Sequence, residues 1–510
     1  MSAAQTGATS GEEFTAPITT VAGTGTAGAE GNGGPAVAAQ LNRPNGIAMD
    51  RAGTLYVAEY AGHRVRRITT DGKISTIAGT GTANFSGDGG PAVSAQMKNP
   101  CGVAVDGAGN VYIADTENHR VRKVAAADGR ISTIAGTGSA ASSGDGGLAT
   151  AARLNRPTGV AVDRDGSLYI AENVGNRVRK ITTDGKISTA VGTGTANFSG
   201  DNGLATSAQL RNPYGVAVDG EGNLYIADRG NHRVRKVTAA DKKISTIAGT
   251  GTANFSGDGG PALSAELNNP FAIVVDSTGT LFISDYNNHA VRKITADGEI
   301  STVAGTGTGG VEGDTGPAVA AQLKNPAGVA VDCVDTLYIS DHNNNRIRKV
   351  ASARMAGLPD SGTVASWANV RSRLRMGILR ESVKEGAEVH QSLAAPRDHQ
   401  RWRLVVAAQE DGEALYTIEN LRSGKFLEVV GAHGCDGAVV AQRAYEGDDA
   451  HHQQWRLIPV GTVDGAPRAY EIANRNSGLL LRVGTNARTA VRQHAAEGDH
   501  RNRQWELLPV

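Results

Sequence analysis

Short apolar runs alternate with polar turns along the first two thirds of the chain. Residues 99–124 read NPCGVAVDGAGNVYIADTENHRVRKV. The runs GVAVD, VYIAD and RVRKV are rich in β-branched residues and bounded by Gly, Asn or Asp, which is the chemistry of strands joined by tight turns. A fourth run, ISTIAG, follows, and then a polar loop such as TANFSGDGGPAVSAQMKNP. A proline opens each copy, at Pro44, Pro100, Pro157, Pro213, Pro270 and Pro326, with spacings of 56 or 57 residues. One four-strand unit cannot bury both faces of its sheet, so six copies predict a six-bladed β-propeller in which each sheet packs on its neighbours.

The ends of the array predict how the ring closes. The sixth copy loses the pattern at Val350, before its fourth strand, and the missing strand stands at the other end as ITTVAGTG in residues 18–25. Pairing the two removes a pair of sheet edges that otherwise invite aggregation. The elements NHR[VI]RK and GVAVD…LYIAD resemble the NHL-repeat family across residues 17–352. That resemblance implies the propeller. It leaves function open, because similar propellers serve as binding platforms, signalling ectodomains and some lyases.

Beyond Val350 the pattern changes. All four tryptophans lie there, and three close related segments, HQRWRL, HQQWRL and NRQWEL. Gln400 with Trp402 and Gln453 with Trp455 fit a Q-x-W motif; the third copy has Arg503 for Gln. Three such units resemble the ricin-type β-trefoil, and the tryptophans are expected to build its core. The fold expected is therefore all-β: a tail at residues 1–16, a propeller at 17–352, a linker at 353–362 and a trefoil at 363–510.

Composition narrows the function classes. The 510 residues include 67 glycines, in keeping with many tight turns, and carry 51 basic and 51 acidic side chains. A neutral chain offers no broad field for nucleic acid or an anionic membrane. Three dispersed cysteines build neither a disulfide framework nor a zinc site. The N-terminal residues lack a basic end followed by an apolar run, so no signal peptide or transmembrane segment is expected, and a cytoplasmic monomer is favoured.

Several repeated features are assigned to the fold. The acid ending each second strand (Glu59, Asp115, Glu172, Asp228, Asp285, Asp341) is expected to pair with the arginine five residues later, which blade 5 replaces with Ala290. Histidines in the same turn (His63, His119, His232, His289) alternate with Asn176 and Asn345, a substitution that suits a turn better than a metal ligand. The GDGG loops lack the lysine of a phosphate loop, and one acid per loop is too few for calcium. No cofactor or metal is expected.

Positions that differ between blades at one address are the ones free to meet a ligand. After the opening proline stand Asn45, Cys101, Thr158, Tyr214, Phe271 and Ala327; after the strand-ending acid stand Tyr60, Thr116, Asn173, Arg229, Tyr286 and His342. Tyr214, Arg229, Phe271, Tyr286 and His342 are thus the candidate ligand contacts at the mouth of blades 4 to 6. Aromatics beside an arginine suit stacking on a sugar or an aromatic ligand. In the trefoil the resemblance implies carbohydrate binding, with Glu428 as the retained acid and Asp448 or Asp449 assisting. The expected function is non-enzymatic recognition of a protein, a glycan or a small molecule. The alternatives are a lyase or hydrolase, using Tyr286, His342, Tyr214 and Arg229 for acid–base work, and a structural scaffold with a degenerate lectin domain.

Overall fold

The computed structural model describes residues 16–350 apart from 51, 52, 277, 278 and 333–335, together with the strands between Val364 and Pro509. Contacts divide the chain into two units, one holding the propeller and the other holding Arg354–Val510. Among the described residues no helix is long and apolar enough to cross a membrane.

Six antiparallel sheets form the propeller; four run in sequence order from an inner to an outer strand, and blades 5 and 6 do so except for one outer strand each. Blade 1 shows the plan, with strands Pro44–Met49, Leu55–Glu59, Arg64–Ile68 and Ile74–Ala78. Blade 5 adds a fifth, two-residue strand, Gly260–Pro261, against Glu299–Ala304. In the other blades the same contact is a single bridge, such as Pro91 with Arg130.

Closure follows the expected register. Ile18–Ala22 pairs antiparallel with Arg346–Val350, setting Ile18 opposite Val350, and so completes blade 6. Six apolar layers lie between the blades. The layer that joins the ends packs Ala22, Ala330 and Ile347 of blade 6 against Ile47, Leu55, Val57 and Ile74 of blade 1. Inner strands approach so closely that a Cβ on Gly102 would meet the Thr158 carbonyl at 2.2 Å, and one on Gly328 the Asn45 carbonyl at 2.3 Å. Only glycine fits such an approach.

In the C-terminal unit Val364–Asn369 pairs with Gln504–Pro509, joining its first and last strands. Trp402 and Trp455 are fully buried, and the Trp455 indole donates to the Leu427 carbonyl at 3.0 Å. Both tryptophans belong to the core, as expected of the Q-x-W positions.

Candidate functional site

The buried charges resolve first, because they decide which residues are free. Each strand-ending acid is fully buried and faces the arginine seven residues on, also fully buried: Arg122, Arg179, Arg235, Arg292 and Arg348 stand 3.4–3.5 Å from their acids. This corrects the expected pairing with the arginine five residues on. That side chain instead reaches loop carbonyls, as Arg120 does to Thr137 at 2.7 Å; among the described residues, only in blade 1 does it also approach its acid, Arg64 standing 3.7 Å from Glu59. The same buried arginine takes a second acid from the glycine loop: Asp88, Asp145, Asp201, Asp258 or Asp314. The GDGG loops therefore fasten each blade to the loop that leads into it.

Blade 1 departs from this scheme. Asn32 holds the loop position and accepts from the Thr76 N–H, and Arg66 is left with no hydrogen bond on any guanidinium nitrogen. Its acid is also longer. A Cβ at Gly62 would sit 2.8 Å from the Glu59 Cβ, in the place where Asn118 or Asn231 bonds the aspartate of other blades. Burial pushes the Glu59 carboxyl up to about 7, against the attraction of Arg66 and the Asn42 N–H.

The turn histidines have a shared task. Each sits in the left-handed region, at φ between 50° and 53°, as do Asn176 and Asn345. Each accepts at Nδ1 from a backbone N–H of the next blade: His63 from Asn99, His119 from Arg156, His232 from Asn269 and His289 from Asn325, at 3.1–3.2 Å. Asn176 and Asn345 do the same through Oδ1 at 2.9 Å. Asparagine replaces histidine because both tolerate this conformation and both present an acceptor.

These bonds carry a pH dependence. Burial lowers all four histidine pKa values, with the cations Arg64 and Lys98 adding at His63, Arg211, Arg233 and Arg229 at His232, and Lys324 at His289; at His119 Glu117 opposes Arg156, Arg120 and Lys98. A depressed folded pKa gives stability that is present above the unfolded value, near 6.5, and is lost as pH falls through the folded one. Changing all four to Asn should leave the melting temperature unchanged at pH 8 and raise it by several degrees at pH 5, relative to the unaltered chain. Equal shifts at both pH values would contradict the bond assignment. Comparing the two chains cancels the opposite drift of the buried acids, whose raised pKa values favour low pH.

At the axis, the inner-strand address forms a plug. Asn45, Cys101, Thr158, Phe271 and Ala327 are buried, and the Tyr214 hydroxyl donates across the axis to Asn45 Oδ1 at 3.4 Å. Tyr214 packs against Phe271, tilted by 31° with ring centroids 3.5 Å apart, and Phe271 stacks on Tyr286 at 4.6 Å. Two large rings from blades 4 and 5 thus fill the space that small residues on the facing blades leave. Burial raises the Tyr214 hydroxyl well above its ordinary value, and raises the Cys101 thiol as well.

The second address surrounds the plug. Thr116, Asn173 and His342 are buried, whereas Tyr60, Arg229 and Tyr286 are partly exposed. His342 lies between Tyr60 and Tyr286, at centroid distances of 6.3 and 6.1 Å, and bonds the Pro44 carbonyl through Nδ1 at 3.0 Å. Burial lowers its pKa to about 4, so the ring is neutral and Nδ1 carries the donated proton. The Arg229 guanidinium lies 5.7 Å from the Tyr214 ring centre and 5.4 Å from that of Phe271. Structure thus brings all five candidate mouth residues together, with Tyr214 and Phe271 as floor and Arg229 and Tyr286 as surface. Tyr60 and Arg43 join them; the between-blade comparison that exposed Tyr286 contained Tyr60 too, but as a solitary aromatic. In the second unit, Glu428 lies on the strand Phe426–Val429, opposite Ala441. Its side chain, and Asp448 and Asp449 entirely, fall outside the described residues. Among the described residues no group of three His, Cys, Asp or Glu is placed to hold a metal.

Comparison with known proteins bears on both units. Residues 98–124, 210–237 and 323–350 match the NHL repeat, and 12–86 and 138–197 match the teneurin NHL domain. The propeller is an NHL-repeat propeller. Residues 346–443 and 398–494 match the ricin-type β-trefoil lectin domain-like family. Similar proteins include human teneurin-1, 30% identical over 88% of this chain, and the chloroplastic protein SUPPRESSOR OF QUENCHING 1 of Arabidopsis thaliana, 30% identical over 50%. The chain spans only 16% of the first and 25% of the second. A structural-genomics protein of unknown function from Bacteroides thetaiotaomicron is 21% identical, with a TM-score of 0.48 over 66% of this chain and 75% of its own. An NHL propeller joined to a lectin-like domain fits a binding role.

Proposed function

We propose that this chain is a recognition protein whose NHL propeller presents the mouth formed by Tyr60, Arg43, Arg229 and Tyr286, with the trefoil adding a glycan-binding or docking surface. One observation carries the reading. Arg229, at an address where other blades hold Tyr, Thr, Asn or His, and Arg43, at one where they hold Asn or Arg, form no ion pair among the described residues, and Arg229 stands beside aromatic rings. Blade architecture requires neither cation. Exposed aromatic and arginine side chains around a dry centre are the makings of a binding hot spot. A second weak site on the trefoil would raise overall avidity by roughly 10² to 10⁴ where geometry lets both engage.

The test is capture by the full chain on glycan, metabolite and protein arrays. In a chain carrying Tyr60→Ala, Arg229→Gln and Tyr286→Ala, capture of the propeller's partner falls more than tenfold; capture at full strength contradicts the reading. A lyase or hydrolase draws on His342, neutral and next to Tyr286. It is the weaker reading, because the Nδ1 of His342 is already engaged by Pro44 and no carboxylate bonds it among the described residues.

A further inference from the structure

The charges at the mouth do not balance, although the chain as a whole is neutral. The six strand-ending acids are buried, each against its own arginine. Glu117, the acid beside Tyr60, is tied to Arg156 at 2.5 Å. Arg43 and Arg229 remain, and the charge of each acts on the Tyr286 hydroxyl, opposing the burial that raises it. Beside Arg229 runs one row of rings, Tyr60, His342, Tyr286, Phe271 and Tyr214, with neighbouring centroids 6.3, 6.1, 4.6 and 3.5 Å apart.

Resting on the recognition reading above, we infer that the mouth takes a small aromatic anion, its planar ring lying on Tyr286 and its carboxylate held by Arg229 and Arg43. A guanidinium receives a carboxylate through two parallel hydrogen bonds, and the partly desolvated setting strengthens them. The ring supplies the apolar area and an offset stack on the exposed face of the row. Neutral His342 adds no charge, so an aromatic cation meets two arginines and no compensating acid. A neutral sugar would stack but leave both cations unsatisfied.

Three probes of one shape separate these terms: 2-naphthoate, 2-naphthamide and 2-naphthylmethylammonium, titrated calorimetrically into the full chain at low salt. Naphthoate is expected to bind at least tenfold tighter than the amide, with the ammonium weakest, and added salt should narrow the gap. Arg229→Gln should bring naphthoate down towards the amide while leaving the amide unchanged, and Arg43→Gln should act in the same direction. Tyr286→Ala should weaken both. Equal affinity for naphthoate and naphthamide overturns the ligand class but keeps the mouth as a contact surface. A naphthoate preference that survives both arginine substitutions places the anion elsewhere and also overturns it. If no probe binds, the aromatic-anion inference falls, and array capture judges the recognition reading separately.

Discussion

A chain lacking residues 1–25 should melt more than about 10 °C below one that begins at residue 15. The shorter chain loses the strand Ile18–Ala22 and every bond it makes. Its ladder to residues 347–350 disappears, as do the exchange between Ile18 and the 315–316 loop and the bond from Thr20 to Asp314 at 2.7 Å. Ile18 and Ala22 are fully buried, so an apolar layer opens as well. Burying an isoleucine contributes about 1.5–3 kcal/mol, and each buried backbone group left unpaired costs roughly 1–3 kcal/mol. Together these approach the ~5–15 kcal/mol that a domain has to lose. The reference chain keeps every described contact of that strand. Calorimetry on both decides; equal melting would mean that the ring closes some other way.

Removing one buried arginine should be nearly as damaging, and adding one acid should help. Arg235→Met leaves Asp228 buried without its counter-charge, a change that costs roughly 3–5 kcal/mol. The penalty has a defined pH window. Burial raises the Asp228 carboxyl to about 6 even with Arg235 holding it down, so without the arginine it titrates higher still, and the cost is full only well above pH 6. As pH falls towards 6 the carboxyl takes up a proton and the penalty shrinks. The converse experiment is Asn32→Asp, which gives Arg66 the loop carboxylate that five other blades possess; a gain of about 1–3 kcal/mol is expected from satisfying a buried guanidinium. A neutral Arg235→Met, or an Asn32→Asp chain that melts lower, would remove the three-group fastening from the account.

The repeat made the fold legible. A period of 56 or 57 residues and a missing last strand are properties of the sequence, and closure follows from them. The acid's partner was not legible, because Arg64 and Arg66 lie two residues apart on one face of a strand, where alternation cannot choose between them. Depth chooses: Arg66 is fully buried and Arg64 reaches the surface. The plug was hidden for another reason. Tyr214 and Asn45 touch across 169 positions of chain, and the exchange of a large ring for small residues on the opposite blade appears only when the ring is closed. Between-blade variation thus mixed two causes, packing at the inner address and exposure at the outer one.

Separating those two causes is the most direct measurement of the central claim. Phe271→Ala and Tyr286→Ala are compared in the full chain, for melting temperature and for affinity towards whatever partner the propeller captures. Phe271→Ala, which empties a buried ring site, should cost about 3–5 kcal/mol of stability and leave affinity within a few-fold. Tyr286→Ala should cost about 1 kcal/mol and lower affinity more than tenfold. If the pattern reverses, or if Tyr286→Ala binds as tightly as the unaltered chain, the mouth is packing alone and recognition lies on another face.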